Sequence, residues 1–126
     1  MKYFDEKLLY FWLSVSDASS IKVNALIKKL NGVYNFYEYF VKGDDSLKQY
    51  LGASYSKMLK ALDFDYLTQQ LKSLEKYGIG IITPQDTLYP QGFLQLDDAP
   101  FVIYYKGRLE LLNTKCFTIV GTRRPS

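Results

Sequence analysis

Gly78-Ile79-Gly80-Ile81-Ile82-Thr83 is where the pattern of the chain changes. Upstream, apolar residues recur every three or four positions; downstream, they come in short β-branched and aromatic runs bounded by glycine and proline. Ile79 to Thr83 is too short and too β-branched for a helix, and Pro84-Gln85-Asp86 ends it as a turn does. Two similar runs follow. Phe101-Val102-Ile103-Tyr104-Tyr105 stands between Pro100 and Gly107, and Cys116-Phe117-Thr118-Ile119-Val120 stops at Gly121. The loop between the first two runs holds Tyr89-Pro90, the short apolar turn Phe93-Leu94-Gln95-Leu96, and Asp97-Asp98-Ala99-Pro100. The sequence therefore predicts helices over 1–77 and strands over 78–126, an α+β or α/β chain. No linker separates the two parts, so the last helix is expected to pack against the sheet that follows it.

Upstream of Gly78 the helical spacing repeats with punctuation. Phe4, Leu8, Phe11, Trp12 and Val15 mark a first helix, with Asp5 and Glu6 near its start, where the dipole favours acids. Ser16-Asp17-Ala18-Ser19-Ser20 breaks the pattern and offers caps. Val23, Leu26, Ile27 and Leu30 then form a second stripe, stopped by Asn31-Gly32. Val33, Phe36, Tyr37 and Phe40 make a third, closed by Gly43. Asp44 or Asp45 can cap a short helix with Leu47, Tyr50 and Leu51, ended by Gly52. Ser54 starts the next, with Met58, Leu59 and Leu62. Asp63 or Asp65 leads into a longer one with Leu67, Leu71, Leu74 and Tyr77. The result is a compact domain of five or six short helices.

Composition bounds the chemistry. A chain of 126 residues with 48% hydrophobic and 23% charged residues has the balance of an ordinary globular protein, and its unusual feature is 17% aromatic residues, twelve of them Tyr. The net charge of +3 does not by itself argue for a nucleic-acid partner. Its distribution is more informative: residues 1–77 hold eleven Lys and no Arg, and the arginines are Arg108, Arg123 and Arg124. The lysines read as a solvated face. With no His and one Cys, the usual general base, a Ser-His-Asp triad and a zinc site are excluded, so neither a catalytic residue nor a metal ligand is assigned. Cys116 reads as a buried strand residue in a reducing compartment. The acidic N-terminus lacks the basic start of a signal peptide, and no apolar run reaches membrane-spanning length, so the cytoplasm is the expected location.

The candidate site lies where the third run stops. Gly121 at a strand end lets the backbone turn sharply and admit a ligand closely. Thr122 adds a hydroxyl and a backbone N–H, Arg123 and Arg124 add planar forks suited to phosphate, and Ser126 is placed to cap a following helix. A phosphate site at the end of the sequence also predicts that the chain is the N-terminal part of something longer.

Taken together, Ile81-Ile82-Thr83, Tyr89-Pro90, Leu94, Pro100 to Gly107, Leu111-Leu112, Ile119-Val120-Gly121-Thr122-Arg123 and Pro125-Ser126 resemble the DNA-processing protein A family, DprA or Smf. The resemblance is specific over residues 78–126. Over 1–77 it rests on length and apolar spacing, similar to the family's sterile-alpha-motif-like, helix-hairpin-helix-related domain. It implies an extended Rossmann-like domain, incomplete here, whose Gly-[Ser/Thr]-Arg turn contacts DNA phosphates. By that resemblance Gly121, Thr122 and Arg123 hold single-stranded DNA, with Arg124 beside them. It implies no reaction and no cofactor, but a cytoplasmic protein of natural transformation that protects incoming single strands and helps load the RecA recombinase. In this chain Ser16-Asp17-Ala18-Ser19-Ser20 replaces the Gly-Ile-Gly-type hairpin of many members. Asp17 would repel phosphate, so the helical domain reads as a packing or protein-contact module, and DNA binding by this chain is expected to be weak.

Two other functions stay open on sequence: a nucleotide-binding Rossmann-like enzyme, since a phosphate turn suits a mononucleotide too, and a helical protein-interaction module. The tyrosines of the helical region, Tyr34, Tyr37, Tyr39, Tyr50 and Tyr55, invite a base-stacking role. Tyr37 and Tyr50, however, fall on apolar stripes and are expected in a core or interface. Finally, an apolar last strand needs a neighbour along its edge, which predicts a homo-oligomer pairing or packing through residues 101–120.

Overall fold

A computed structural model describes residues 6–106 and the backbone of 118–121. Helix α1 (Glu6–Val15) lies at the centre of the helical layer and buries Leu9, Tyr10, Phe11, Trp12 and Leu13 in succession. A helix apolar all round has to be surrounded, and the one-sided stripe read from the sequence underestimates how much of α1 is covered. The indole N–H of Trp12 donates to the Met58 carbonyl at 2.8 Å. Its ring meets Phe40 and Tyr37 edge-on at centroid distances of 5.2 and 5.9 Å.

The remaining helices wrap this one, and their ends follow local chemistry. Ser19 caps α2 (Ser20–Lys29), its hydroxyl accepting from the Lys22 N–H. Asp44 caps α4 (Asp45–Leu51) through the Ser46 N–H, and Asp63 caps α6 (Phe64–Lys76) through the Tyr66 N–H. Helix α3 (Val33–Lys42) supplies Val33, Phe36 and Phe40 to the core. Gly52, at φ 57° and ψ −128°, ends α4 and opens α5 (Ala53–Lys60) in a conformation a side chain would strain. Helix α5 thus starts one residue before Ser54. The Ser54 hydroxyl instead accepts from the Ser19 N–H at 3.0 Å and ties α5 to the head of α2.

Three stripe residues are not where their spacing places them. Tyr50, Leu59 and Tyr77 are 43%, 53% and 71% exposed. In α4 the i, i+4 pair Leu47 and Leu51 fills the contact with the core; Leu59 is rotated one position from the buried Met58, and Tyr77 lies beyond the last helical residue of α6.

Gly78, at φ 74°, turns α6 into the first of three strands, β1 (Ile79–Ile82), β2 (Ile103–Lys106) and β3 (Thr118–Gly121). They pair antiparallel in the order β1-β2-β3, with Ile79 opposite Lys106 and Ile82 opposite Ile103. The described residues thus form an α+β fold. The parallel pairing that a Rossmann-like sheet leads one to expect does not occur among these strands. The connection over 83–102 contains only the single turn α7 (Gln91–Leu94) and folds back on itself, the Tyr89 hydroxyl donating to the Pro100 carbonyl at 2.7 Å. It returns at the end it left, and a strand entering there must run antiparallel.

Both faces of β1 and β2 are covered, which is why their runs are apolar throughout. Ile81 packs with Phe101 and Val102 into the same core as the helices, and Tyr104 lies against it. The opposite face, Ile82, Ile103 and Tyr105, is roofed by Tyr89 and Phe93 from the connecting loop. As the absent linker predicts, α6 packs against β1, and Asn24 of α2 holds the loop by donating to the carbonyls of Asp97 and Ala99. The edge of β3 away from β2 carries no strand among the described residues; it is the edge at which a second copy is expected to pair.

Two buried tyrosines give the fold an alkaline limit. Burial pushes the hydroxyls of Tyr10 and Tyr89 up to about 12, with Glu6 adding to the effect on Tyr10 and Tyr10 to that on Tyr89. The unfolded chain releases these protons near pH 10 while the folded chain keeps them. Their contribution is therefore complete below pH 10 and lost between pH 10 and about 12. Urea midpoints should fall steeply over that window in the parent and less steeply in Tyr89→Phe. An equal slope in the two proteins would show that the Tyr89 hydroxyl is not protected.

Candidate nucleic-acid interface

Strand register fixes what can meet at the end of the sheet. Ile82 lies opposite Ile103 and Tyr104 opposite Gly121, so the exits of β1 and β3 and the entry of β2 share one end. The pairing is interrupted just before it: Tyr104 pairs with Gly121 but Tyr105 with Ile119, leaving Val120 as the extra residue of a bulge. A bulge bends its strand and sharpens its twist.

At that end of the sheet stands a closed turn. Thr83 is fully buried, its N–H donates to a carboxylate oxygen of Asp86 at 2.8 Å, and its hydroxyl bonds Gln85 and more distantly Asp86. The Asp86 N–H returns a bond to the Thr83 carbonyl at 2.8 Å. The Asp86 carboxylate thus accepts from the turn that it closes. Asp86 also adds to the upward shift of the Tyr105 hydroxyl, which burial dominates. Below this end Tyr89 and Phe93 meet edge-on at 6.0 Å and brace the loop against Ile82 and Ile103. The rim at β1 and β2 is built on packed residues.

Of the residues that the sequence assigns to phosphate contact, Gly121 is at the bulged end of β3. Thr122, Arg123 and Arg124 lie outside the described residues, as does Cys116. That Gly121 and the Thr83–Asp86 turn lie at the same end of the sheet, with β2 between their strands, is not evident from sequence; the Thr-Pro-Gln-Asp order signals a turn but not its place in the sheet. At the helical hairpin Asp17 stands 3.8 Å from the Lys57 ammonium, with both side chains exposed, so the pair blunts but does not remove the charge expected to repel phosphate. Among the described residues no group of three or more Cys, Asp or Glu side chains could hold a metal ion, and no helix is long and apolar enough to cross a membrane.

Comparison with known proteins bears on the same segment. The model of the family described as DNA recombination-mediator protein A matches residues 80–126, which include β1 but for its first residue and all of β2 and β3. The Smf protein of Borreliella burgdorferi is 24% identical over 120 residues, covering 95% of this chain and 37% of that relative. The chain thus spans little more than a third of that relative's length. No solved structure matches. The family match covers the three strands as far as Gly121, and the Smf similarity extends through the helices that pack on them, so the chain is similar over nearly its whole length to DNA-processing protein A (DprA/Smf) proteins.

Proposed function

We propose that the chain belongs to a cytoplasmic single-stranded-DNA-binding protein of DNA uptake and recombination, one that protects incoming strands and helps load the RecA recombinase. In this reading Gly121, Thr122, Arg123 and Arg124 hold backbone phosphates, residues 1–77 are a helical sterile-alpha-motif-like domain, and 78–126 open a Rossmann-like one. The observation that carries it is the position of Gly121. It ends a bulged strand at the same end of the sheet as the Thr83 turn, and the two arginines follow it two and three residues on in sequence. A glycine turn giving N–H groups beside guanidinium forks suits a single strand because it grips phosphate without reading bases.

The test is binding of labelled oligo-dT across a salt series. Changing Arg123 and Arg124 together to Ala should remove most binding and reduce the salt slope by about 1.4, because each phosphate neutralised on a single strand adds ~0.7 to that slope. An Arg123→Ala, Arg124→Ala protein that binds like the parent overturns the assignment. Saturable binding of a mononucleotide in place of the oligomer would favour a nucleotide enzyme. Homo-oligomerisation by pairing or packing through residues 101–120 is part of the same reading, and light scattering over a dilution series should show a mass above the monomer that falls on dilution.

A further inference from the structure

The exposure of Tyr50 has a structural counterpart. Its ring borders a groove of about 280 Å³ between α2, α3 and α4, floored by Leu26 and Leu47 and walled by Lys29, Tyr39, Ser46 and Tyr50. Lys22 stands over the Tyr50 ring, its ammonium 5.7 Å from the centroid. Lys22, Leu26 and Lys29 fall at i, i+4 and i+7 of α2, so both lysines flank the groove along one helix face. Glu38, Asp44 and Asp45 stand on or beside the same helices, but none of them lines the groove, and the Asp44 carboxylate is engaged at the head of α4.

We infer that this groove is a second contact for single-stranded nucleic acid, taking a base against Tyr50 and the adjoining phosphates on Lys22 and Lys29. The inference rests on the reading of the chain as a single-strand binder and adds to it a surface on the helical domain. Three features point to this occupant. An aromatic face open to solvent and steadied by a cation is a stacking platform that accepts any base. The lining carries an ammonium group and no carboxylate, which complements a polyanion. The volume is also small, near the lower end of the ~300–1,000 Å³ of ligand clefts, and so suits one flat ring rather than a peptide helix. This departs from the expectation from sequence that Tyr50 serves a core or interface and that the lysines form only a solvated face.

The experiment uses the full chain and labelled oligo-dT, in parallel with the arginine pair. Tyr50→Ala should weaken binding about five- to tenfold, the low end of what base stacking on an aromatic contributes, while Tyr50→Phe should bind as the parent does. Lys22→Ala with Lys29→Ala, both exposed and so safe for folding, should lower the salt slope by about 1 to 1.5. If Tyr50→Ala and the lysine pair bind like the parent while Arg123→Ala, Arg124→Ala loses binding, the groove inference is overturned and the turn assignment stands. If the groove variants lose binding and the arginine pair does not, the groove stands and the turn assignment falls. A parent chain that binds no oligonucleotide overturns both. Capture of a polyglutamate peptide that depends on Lys22 and Lys29, with oligo-dT binding indifferent to Tyr50, would overturn the inference in favour of an acidic protein partner.

Discussion

Trp12→Ala should lower the stability of the chain by about 3–5 kcal/mol from the loss of packing alone. Trp12 is fully buried on the most enclosed helix of the fold, and three aromatic residues of α3, Phe36, Tyr37 and Phe40, lie against its ring. The substitution also takes away the N–H that satisfies the Met58 carbonyl, and an orphaned buried acceptor costs about 1–3 kcal/mol more. Against a total stability of about 5–15 kcal/mol for a domain, the variant should be largely unfolded or close to it. Trp12→Phe keeps part of the ring packing and gives up only the hydrogen bond and some volume, so it should fall between the two. Far-UV circular dichroism in urea is the measurement, because Trp12 is the single tryptophan and its own fluorescence disappears with it. A Trp12→Ala midpoint close to that of the parent would mean that the packing of α1 on α3 is not the centre of the fold.

The order of elements was legible because its signals are local. Ser19, Asp44 and Asp63 cap the helices they precede, and Gly78 turns the chain where the apolar period changes. What was not legible depends on neighbours. Periodicity finds one covered face, so it underestimates α1, whose Leu9, Tyr10 and Leu13 are covered by elements far away in sequence. It places Tyr50 inside because Leu47 and Leu51 are inside, although a two-turn helix offers the core only a narrow strip. Strand composition carries no direction, so the antiparallel order emerges only from the loop that returns through the Tyr89–Pro100 bond. The position of Gly121 at a strand end and the turn at Pro84-Gln85-Asp86 could be read from the halts of apolar runs, whereas the bulge at Val120 is a property of register.

Gly80 should prove the least replaceable residue of the sheet, although nothing in its sequence context separates it from an ordinary strand glycine. It lies directly opposite Tyr105, and the phenol lies across it, so that a Cβ at position 80 would clash with the Cζ, Oη and Cε1 atoms of that side chain. The ring has little room to yield, because Ile82, Tyr89 and Ile103 are buried around it. Gly80→Ala should therefore cost about 1–3 kcal/mol as overpacking, and Gly80→Val more. The cause can be isolated by a double-mutant cycle. In a Tyr105→Ala background the obstruction is gone, and Gly80→Ala should become neutral or stabilising by about 0.5–1 kcal/mol, since alanine loses less backbone entropy than glycine in a strand. The coupling between the positions should thus reach about 1–3 kcal/mol, in the range of residues that touch. Because Tyr105 precedes Lys106 on the strand that pairs with both β1 and β3, displacing its ring should also loosen the register that holds Gly121 at the rim. Oligo-dT affinity of Gly80→Ala should then fall and recover when Tyr105 is also Ala. If Gly80→Ala carries the same cost in both backgrounds, the ring does not lock the sheet and the penalty belongs to the backbone.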